Sequence, residues 1–547
     1  MQFIRSRRWP ERILALALAL CLPVLATAEE GAQDLQGGEI PLEDDIQWMN
    51  QSDLQAAYAI NMDADLQLGY VASTTGEINP FHCTDRDLVS LNHLVFESLV
   101  DFDDEMKPTP LLADSWTSNG KEWTFKLREG IVFHNGAALT AYEVVASYQR
   151  FLLCEETNPY YSRVQMISSM EVVDDLTLKV NSKYSGYVTL YAMTFPVVQS
   201  STLDDRMARG TGPYWYTEYA TGSGVRLEVN PLWWKKDPEI QSIAARNYAD
   251  TGSALEALKT NEINLLCTQS SQAAINRKIS GLTSMDYTTT TYEMLVPNLN
   301  DDSPMGDVRM RQALMYGIDR AAVAESAYLG MGVQCEVPVN PSSWLYESQS
   351  AIYYYSPERA YQLIQSCGWE DLTGDGMLNQ IDGVLLKDLT LKLVTYNEST
   401  NTIRENAANL IANQLAKVGV TVEVHVYTKQ TCLQRVKDKN YDIALVGVQL
   451  SEIPNLSPMF QSGGSLNLNN FKNDNMELLI GQVSSAKTEE ELKSLYSQMQ
   501  MIAVERLPVL GLLFRTGTVL STRSLAGLSG MCVSDMLNGV EFMQRTQ

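Results

Sequence analysis

Histidine is scarce in this chain, with four residues in 547, at positions 82, 93, 134 and 425. These positions are too dispersed to suggest a metal cluster or a proton relay, and no GxSxG, HExxH or GxxxxGK motif is present. Asp250-Thr-Gly-Ser253 spells the nucleophile loop of aspartic proteases, but that chemistry needs two carboxylates sharing a proton and the chain has one copy. We interpret this segment as a helix start with Thr251 or Ser253 as its N-cap, and we expect no enzymatic activity.

Basic side chains are also under-represented. The chain has 41 Lys and Arg against 66 Asp and Glu, a formal net charge of -25. A nucleic-acid partner is excluded on this ground, because binding to phosphates requires a basic surface. No continuous apolar run of about 18 residues follows the N-terminal segment, so we expect no membrane-spanning helix. The contents of apolar residues (45%) and charged residues (20%) are those of a folded, soluble protein.

The N-terminus has the pattern of an export signal. Four arginines within residues 5–12 precede an uncharged run over 13–25, and Ala26-Thr-Ala28 supplies a signal-peptidase site. We expect cleavage after Ala28 and a mature protein in the periplasm or on the outer face of the cell membrane. Leu18-Ala-Leu-Cys21 half resembles a lipoprotein box, so a lipid anchor on Cys21 is the alternative. Residues 29–60 are predicted to be an acidic tether, because 29–45 hold seven acids and no Lys or Arg.

Cysteines occur without metal-binding spacing. If Cys21 is removed, seven remain, and no CxxC pair exists among them. An odd number leaves at least one free thiol, and a buried free cysteine behaves as a small apolar residue. Any number of disulfides from zero to three is compatible with this set: Cys83, Cys154, Cys267, Cys335, Cys367, Cys432 and Cys532.

Strand and helix patterns alternate along the folded part. Residues 65–73 and 122–127 have the period of strands, and Asn119-Gly120 marks a hairpin turn before the second of them. Residues 402–418 place apolar side chains on one helical face, and Gly419 ends that helix. Residues 420–427 alternate as a strand, while 441–448 are a continuous apolar run typical of a buried strand. This alternation predicts an α/β fold.

An Asp/Gly-rich segment has the spacing of a calcium loop. Counting from Asp371, oxygen-bearing groups occupy loop positions 1, 3, 5, 7, 9 and 12, and glycine occupies the tight-turn position 6. The alternative interpretation is a plain turn between a helix that ends near Gly368 and a strand that starts near Leu389. In both cases the role is structural, and no other cofactor is required. The candidate calcium ligands are Asp371, Thr373, Asp375, the carbonyl of Met377, Asn379 and Asp382.

An ordered set of distinctive sequence blocks runs through the folded part of the chain. The blocks are Asn79-Pro80, Pro110–Trp116, Trp123–Gly130, Val132–Gly136, Leu139–Arg150, Gly210–Tyr214, Asn230–Trp234, Arg311–Arg320 and Tyr441–Leu445. Together they resemble one protein family, the family 5 extracytoplasmic solute-binding proteins of ABC importers. This family includes oligopeptide, dipeptide and nickel receptors, and the resemblance covers about 65–547.

The resemblance implies two α/β lobes of the periplasmic-binding-protein type. Lobe I would comprise residues 61–291, with an extra subdomain at about 81–185, and the chain would return to it over 511–547. Lobe II would comprise residues 292–510. The two hinge strands are expected near 292–298 and 507–514.

The resemblance also implies that the ligand lies between the lobes. Peptide-binding relatives hold the ligand amine with an Asp that follows a Gly-Trp stretch. The matching stretch here has Val448 in place of Trp and Ser451 in place of Asp, with Glu452 adjacent. We therefore expect the amine near Glu452. The full set of expected ligand-binding residues is Thr74, Thr75, Glu77, Tyr292, Gly447, Val448, Gln449, Ser451 and Glu452.

The function implied is capture of peptides or peptide-like solutes and their delivery to ABC transporter permease subunits. A monomer is expected, in contact with the membrane only through the transporter or a lipid anchor. A nickel or haem receptor of the same family and a receptor that feeds a sensor are the alternatives. An exported peptidase is the least favoured interpretation, because no nucleophile or metal set can be assembled.

Overall fold

The computed structural model describes residues 60–72, 76–398, 401–527 and 535–545. The predicted signal peptide and tether, Cys21, Thr74, Thr75 and Cys532 lie outside the described residues, apart from Ile60 at the end of the tether. The described residues fall in one compact unit, which spans Tyr58–Gln547.

Strands and helices alternate along this unit, as the sequence patterns predict. The strands are β1 Leu66–Tyr70, β2 Val100–Phe102, β3 Pro108–Pro110, β4 Ala113–Asn119, β5 Glu122–Leu127, β6 Ile167–Asp174, β7 Thr177–Ser182, β8 Tyr214–Ala220, β9 Gly224–Val229, β10 Ser242–Asn247, β11 Leu265–Thr268, β12 Leu282–Pro297, β13 Gly332–Gln334, β14 Asn379–Asp382, β15 Leu385–Asp388, β16 Thr390–Tyr396, β17 Thr421–Tyr427, β18 Ile443–Gln449, β19 Leu510–Thr522, β20 Leu525–Ala526 and β21 Gln544–Arg545. The α-helices are α1 Arg86–His93, α2 Ala141–Phe151, α3 Tyr161–Val164, α4 Thr251–Lys259, α5 Gln272–Asn276, α6 Val308–Gly317, α7 Arg320–Ala322, α8 Pro357–Ser366, α9 Ile403–Ala416, α10 Lys429–Lys437, α11 Ser457–Phe460, α12 Asp474–Val483 and α13 Glu489–Arg506.

An eleven-stranded sheet dominates the fold. Its order is β17-β16-β18-β12-β19-β11-β1-β10-β9-β8, and β13 pairs with β19 outside this path. Parallel pairs occur on both sides of the sheet's centre, between β1 and β10 and between β16 and β17. The five strands from β11 to β8 form the first half of the sheet, and β16, β17 and β18 form the second half.

Two long strands join these halves. β12 pairs with β18 of the second half from Thr291 to Pro297, and β19 pairs with β11 of the first half through residues 518–521. β12 and β19 also pair with each other, with register shifts between Thr288 and Met294 that bend the strands. This arrangement is the two-lobed α/β architecture expected from the sequence. The predicted boundaries at 291/292 and 510/511 fall inside these strands, and the exact division stays a prediction.

A separate four-stranded sheet, ordered β4-β5-β7-β6, lies within residues 113–182. The predicted hairpin is present, with β4 and β5 joined at Gly120, whose φ is +68°. Trp123 and Phe125 alternate into the interior of this sheet, while their neighbours are half-buried or exposed. The signature block Trp123–Gly130 is thus part of a local packing unit, which is where the sequence analysis places the extra subdomain.

Helix α4 begins differently from the prediction. Its N-cap is Asp250, whose carboxylate accepts a hydrogen bond from the Ser253 backbone N–H (2.8 Å), while the Ser253 side chain completes a capping box. The expectation that Thr251 or Ser253 is the N-cap was therefore wrong by a few positions. The hydrogen bond from the Ser253 amide lowers the pKa of Asp250. This capping role accounts for the presence of the protease-like tetrapeptide without a catalytic function.

Within the described residues, the cysteines Cys83, Cys154, Cys267, Cys335, Cys367 and Cys432 are all free. Four of them are buried, and burial raises the pKa of the Cys83 thiol to about 12. These cysteines therefore act as small apolar groups, and the count of disulfides among them is zero.

Candidate functional site

The end of strand β18 brings the predicted amine-binding stretch to the cleft between the two halves of the sheet. β18 is an apolar strand buried beside β12, and it ends at Gln449, opposite Thr291 of β12. The Leu450 N–H then donates to the Thr290 carbonyl (2.9 Å), which directs the following residues out of the sheet. Ser451 and Glu452 leave the strand here, at the carboxyl end where open α/β sheets place their ligands.

Glu452 forms an ion pair across the cleft. Its Oε2 lies 2.5 Å from Nη2 of Arg163, a residue 289 positions earlier on the short helix α3. The side chains of Arg163 and Glu452 are 13% and 23% exposed, so water reaches both only in part. Glu452 was expected at the cleft from the sequence, whereas Arg163 was not.

Arg163 is held from its own side of the cleft as well. Its Nη1 donates to the Thr194 hydroxyl (2.5 Å) and to the Thr194 carbonyl (3.2 Å). Its guanidinium lies over the ring of Tyr160, 5.3 Å from the centroid, where a cation is attracted by the aromatic face. Thr194 and Tyr160 therefore hold the guanidinium in addition to Glu452.

Two cavities flank this ion pair. One has a volume of about 390 Å³ and is lined by both members of the pair. The other has a volume of about 540 Å³, and the residues that line it include Met166, Val188 and Ile480. Ser451 lines both cavities. Concave spaces of this size, with few polar groups in fixed positions, suit a small organic ligand.

A smaller polar cavity of about 80 Å³ lies behind Arg163, and Asp101, Asp535 and Glu541 line it. Burial, together with the neighbouring charge of Asp535, raises the pKa of Glu541 to about 7. Burial alone would lower the pKa of His93, but Asp535, 3.4 Å away, outweighs burial and raises it. These acidic residues thus line a cavity that also includes Arg163 but not Glu452.

The structure gathers part of the predicted ligand-binding set at the cleft. Gln449, Ser451 and Glu452 line the 390 Å³ cavity. The Gln449 amide oxygen accepts a hydrogen bond from the Thr291 hydroxyl (3.0 Å), which fixes this side chain at the cavity wall. Val448, which follows the pleat to the opposite face, is buried in the core.

The other predicted residues lie elsewhere. Tyr292 has no exposed surface, and its ring packs against Phe514 with centroids 4.8 Å apart. Glu77 lies at the surface of the first half, 4.0 Å from Arg206. There is no room for a side chain at Gly447, because a Cβ there would lie 2.7 Å from the carboxylate of Glu293. Tyr292 and Gly447 therefore support the cleft from the core.

A buried ion network beneath Gly447 was not predicted. Glu293 on β12 is fully buried, and its carboxylate accepts two hydrogen bonds from Arg404, each 2.9 Å long. Arg515 on β19 donates to the same carboxylate (2.6 Å). Burial would lower the pKa of Arg404, but the charge of Glu293 outweighs it and holds the pKa above its ordinary value. The network ties helix α9 to both long strands of the sheet.

Comparison with known proteins identifies the family. The family model described as bacterial extracellular solute-binding proteins, family 5 Middle, matches residues 107–470, more than half of the chain. The chain belongs to the family 5 solute-binding proteins. The oligopeptide-binding protein AppA of Bacillus subtilis is 23% identical to it over 513 residues, which cover 89% of this chain and 93% of that protein. Heme-binding protein A of Haemophilus influenzae is 25% identical over 445 residues, 73% of this chain and 77% of that protein.

Solved structures agree on the fold. An ABC transporter substrate-binding protein from Sinorhizobium meliloti superposes with a TM-score of 0.74 at 20% identity, covering 88% of this chain and 100% of that one. Membership in a family of extracellular binding proteins confirms the predicted resemblance, the two-lobed fold, and a receptor instead of an enzyme. Among the helices of the described residues, none combines the length and apolar character that crossing a membrane requires.

In this solute-binding protein the predicted calcium loop is a series of tight turns. Asp371 accepts hydrogen bonds from the N–H groups of Gly374 (2.7 Å), Asp375 (3.2 Å) and Gly376 (3.0 Å). Asp382, at the end of β14, is exposed. Within the part of the chain that the structure describes, no group of three or more His, Cys, Asp or Glu side chains is arranged to hold a metal ion.

Proposed function

We propose that this solute-binding protein captures short peptides, or peptide-like solutes, in the cleft beside Glu452 and delivers them to the permease subunits of an ABC importer. The observation that carries the proposal is the position of Glu452 and Ser451 between two cavities, at the carboxyl end of β18. A carboxylate at that place suits a ligand ammonium group. Relatives that are named as peptide-binding proteins, such as AppA, support the same class of cargo.

A receptor of this kind needs a hinge and an exported chain. We propose that β12 and β19 serve as the hinge. β12 pairs with β18 of the second half of the sheet, β19 pairs with β11 of the first half, and the two strands pair with each other. The mature protein would be a monomer that starts after Ala28, in the periplasm or on the outer face of the membrane. Lipidation at Cys21 and a sensor as the partner remain the alternatives to test.

Haem or nickel cargo is less well supported by the cleft. Heme-binding protein A is among the relatives, so the names of the relatives are compatible with haem as a cargo. In the cleft, however, His93 already contacts the Tyr160 hydroxyl through Nε2 (2.9 Å) and Asp535 through Nδ1. Both ring nitrogens thus have partners, and the Ser451–Glu452 segment offers no imidazole, the ligand that suits nickel and iron.

We expect the Glu452→Gln variant to bind a short peptide at least about 30-fold more weakly than the wild type. The reason is that a partly buried ligand ammonium loses its carboxylate partner, a change worth roughly 2 kcal/mol or more. Titration calorimetry with trialanine measures the loss, and N-acetyl-trialanine should bind the wild type equally poorly.

A matched control is Glu228→Gln on β9, where the carboxylate pairs with Arg226 (2.8 Å) away from the cleft. Its affinity should stay within about threefold of the wild type, because a surface ion pair contributes little. Unchanged affinity for both Glu452→Gln and the acetylated ligand would show that the cleft does not bind an amine.

Calcium at Asp371–Asp382 is a further prediction, supported by the spacing of its oxygen groups. An ion that binds only the folded state at about 100 times its dissociation constant adds about 2.7 kcal/mol of stability. We expect a higher melting temperature in calcium than in chelator, and loss of that difference in an Asp371→Ala, Asp375→Ala double variant. An identical melting temperature with and without chelator would show that the loop is a turn that does not bind calcium.

A further inference from the structure

The backbone connects two distant parts of the chain at a place outside the large sheet. The Ser185 N–H donates to the Ser484 carbonyl (3.0 Å), and the Tyr187 N–H donates to the Ala486 carbonyl (2.6 Å). The first pair of donors follows β7, and the acceptors lie between α12 and α13. In the predicted division of the chain, the donors belong to lobe I and the acceptors to lobe II. We call the two segments, residues 185–187 and 484–486, the clasp.

Side chains beside the clasp strengthen it. The Tyr187 hydroxyl donates to Oε1 of Glu489 (2.8 Å), and Nζ of Lys107 lies 2.5 Å from Oε2 of the same carboxylate. The indole N–H of Trp344 donates to the Tyr191 hydroxyl (3.0 Å). Each of these contacts joins lobe I to lobe II through residues outside β12 and β19. The clasp therefore holds the lobes together in addition to the two long strands.

Gly186 shows how closely the two segments approach each other. Its φ of −102° is one that any residue adopts, so its own backbone does not require glycine. A Cβ on Gly186 would nevertheless lie 2.8 Å from the Ala486 carbonyl oxygen and 3.0 Å from the carbonyl carbon and oxygen of Ser484. These nearest atoms are all backbone atoms of the opposite segment. Glycine is therefore required at this position only while the clasp is closed.

The clasp borders the larger of the two cavities. Tyr184 and Val188 flank the first clasp segment, and both line the cavity of about 540 Å³, together with Val483 and Ser484 from the other lobe. Rotation of the lobes about β12 and β19 would separate these residues and open the cavity at that wall. Every contact of the clasp joins two groups of the protein, so no ligand is needed to complete it.

We propose that the clasp is a latch that closes the two lobes on each other without a ligand, and that it sets the fraction of free receptor in the closed form. A ligand that binds only the closed form has an apparent dissociation constant equal to the intrinsic constant divided by that fraction. The clasp would thus scale the affinity for every cargo. This inference rests on the proposed hinge and does not depend on the chemistry of the cargo.

Hydrogen exchange of the purified protein without added peptide tests the inference. The amides of Ser185 and Tyr187 donate across the clasp, so their exchange reports its opening. In the wild type we expect them to exchange at least about 10-fold more slowly than in an unstructured peptide, but faster than the amides of β5. Gly186→Ala should remove this protection, because its new methyl group meets the backbone of the other segment.

Glu489→Ala should speed the exchange of the two amides by about 10-fold, because it removes a hydrogen bond to a charged acceptor together with an ion pair. Glu490→Ala is the matched control, since Glu490 is the next residue of the same helical turn and is exposed. This control should exchange like the wild type. The amides of β5 should exchange alike in all variants, which checks that the protein remains folded.

Small-angle X-ray scattering distinguishes opening of the lobes from a local change. Without peptide, Gly186→Ala should have a larger radius of gyration than the wild type, and Glu490→Ala should have the same radius. Loss of protection without a larger radius would show that the clasp does not hold the lobes. Wild-type amides that exchange as slowly as those of β5 would show a permanent interface, and amides without protection would show that no latch forms. Each of these three results would overturn the inference.

Titration calorimetry separates the latch from the proposed cargo. Gly186→Ala should bind trialanine more weakly than the wild type does, and it should keep the wild-type ratio of affinities for trialanine and N-acetyl-trialanine. The reason is that the clasp changes the closed fraction and not the contact with the amine. Unchanged affinity in a variant that has lost the clasp would contradict the latch. A wild type that binds neither peptide would contradict the proposed cargo, while exchange and scattering would still decide on the clasp.

Discussion

Replacing Glu293 by glutamine is expected to destabilise the folded protein by about 3–5 kcal/mol. The Glu293 carboxylate is fully buried and is shared by two guanidinium groups, those of Arg404 and Arg515. Arg404 is itself only 2% exposed, so an amide in place of the carboxylate would leave a buried positive charge without adequate compensation. Urea denaturation of the wild type and the variant measures the difference in the free energy of unfolding.

Glu398→Gln is the matched control for this prediction. Glu398 pairs with the same two arginines, at 2.7 and 3.3 Å, but its side chain is 45% exposed. Solvent screens that interaction, so we expect a loss of at most about 1 kcal/mol. Adding Arg404→Met to Glu293→Gln should recover part of the stability, because it removes the unpaired charge. Similar small losses for Glu293→Gln and Glu398→Gln would contradict the account of the network.

Local elements of this fold were predictable because their causes are local. The strand period over 420–427 and the apolar stripe over 402–418 correspond to β17 and α9 within a few residues. The Gly210-Thr-Gly-Pro block also has a visible physical cause. A Cβ at Gly212 would lie 2.6 Å from the Leu94 carbonyl oxygen, so only glycine fits where this loop crosses that backbone.

The decisive contacts of the cleft were not predictable, because they join distant parts of the chain. Arg163 lies in a four-residue helix with no motif around it, and its partner is 289 residues away. Glu293 did leave a signal: it is a charge inside the apolar stretch of β12, where a buried carboxylate requires a partner. A charge in this position predicts an ion pair, but it does not identify the arginines that complete the pair.

Gly511 shows a second constraint that the sequence alone does not reveal. This residue lies on β19 where residues just after β13 cross the strand. A Cβ on Gly511 would lie 2.5 Å from the Cys335 carbonyl oxygen, and closer still to the Glu336 carbonyl oxygen and the Tyr292 hydroxyl. Two of these three obstacles are backbone atoms, which cannot move aside by rotation of a side chain. The crossing therefore accounts for glycine at 511 and for the burial of the Tyr292 ring above it.

Gly511→Ala is accordingly expected to cost about 3 kcal/mol, at the upper end of the range for one added methyl group in a packed core. Gly481→Ala should have the opposite effect, because Gly481 is an exposed residue of α12 with no atom within 4 Å of the new methyl group. Alanine there should stabilise the protein by about 0.5–1 kcal/mol through its higher helix propensity. Urea denaturation of both variants measures the two effects. Adding Tyr292→Phe to Gly511→Ala should recover only a part of the loss, since it removes the hydroxyl contact and leaves the carbonyl contacts in place. A Gly511→Ala variant as stable as the wild type would mean that the chain around Cys335 yields easily, contrary to the crossing described here.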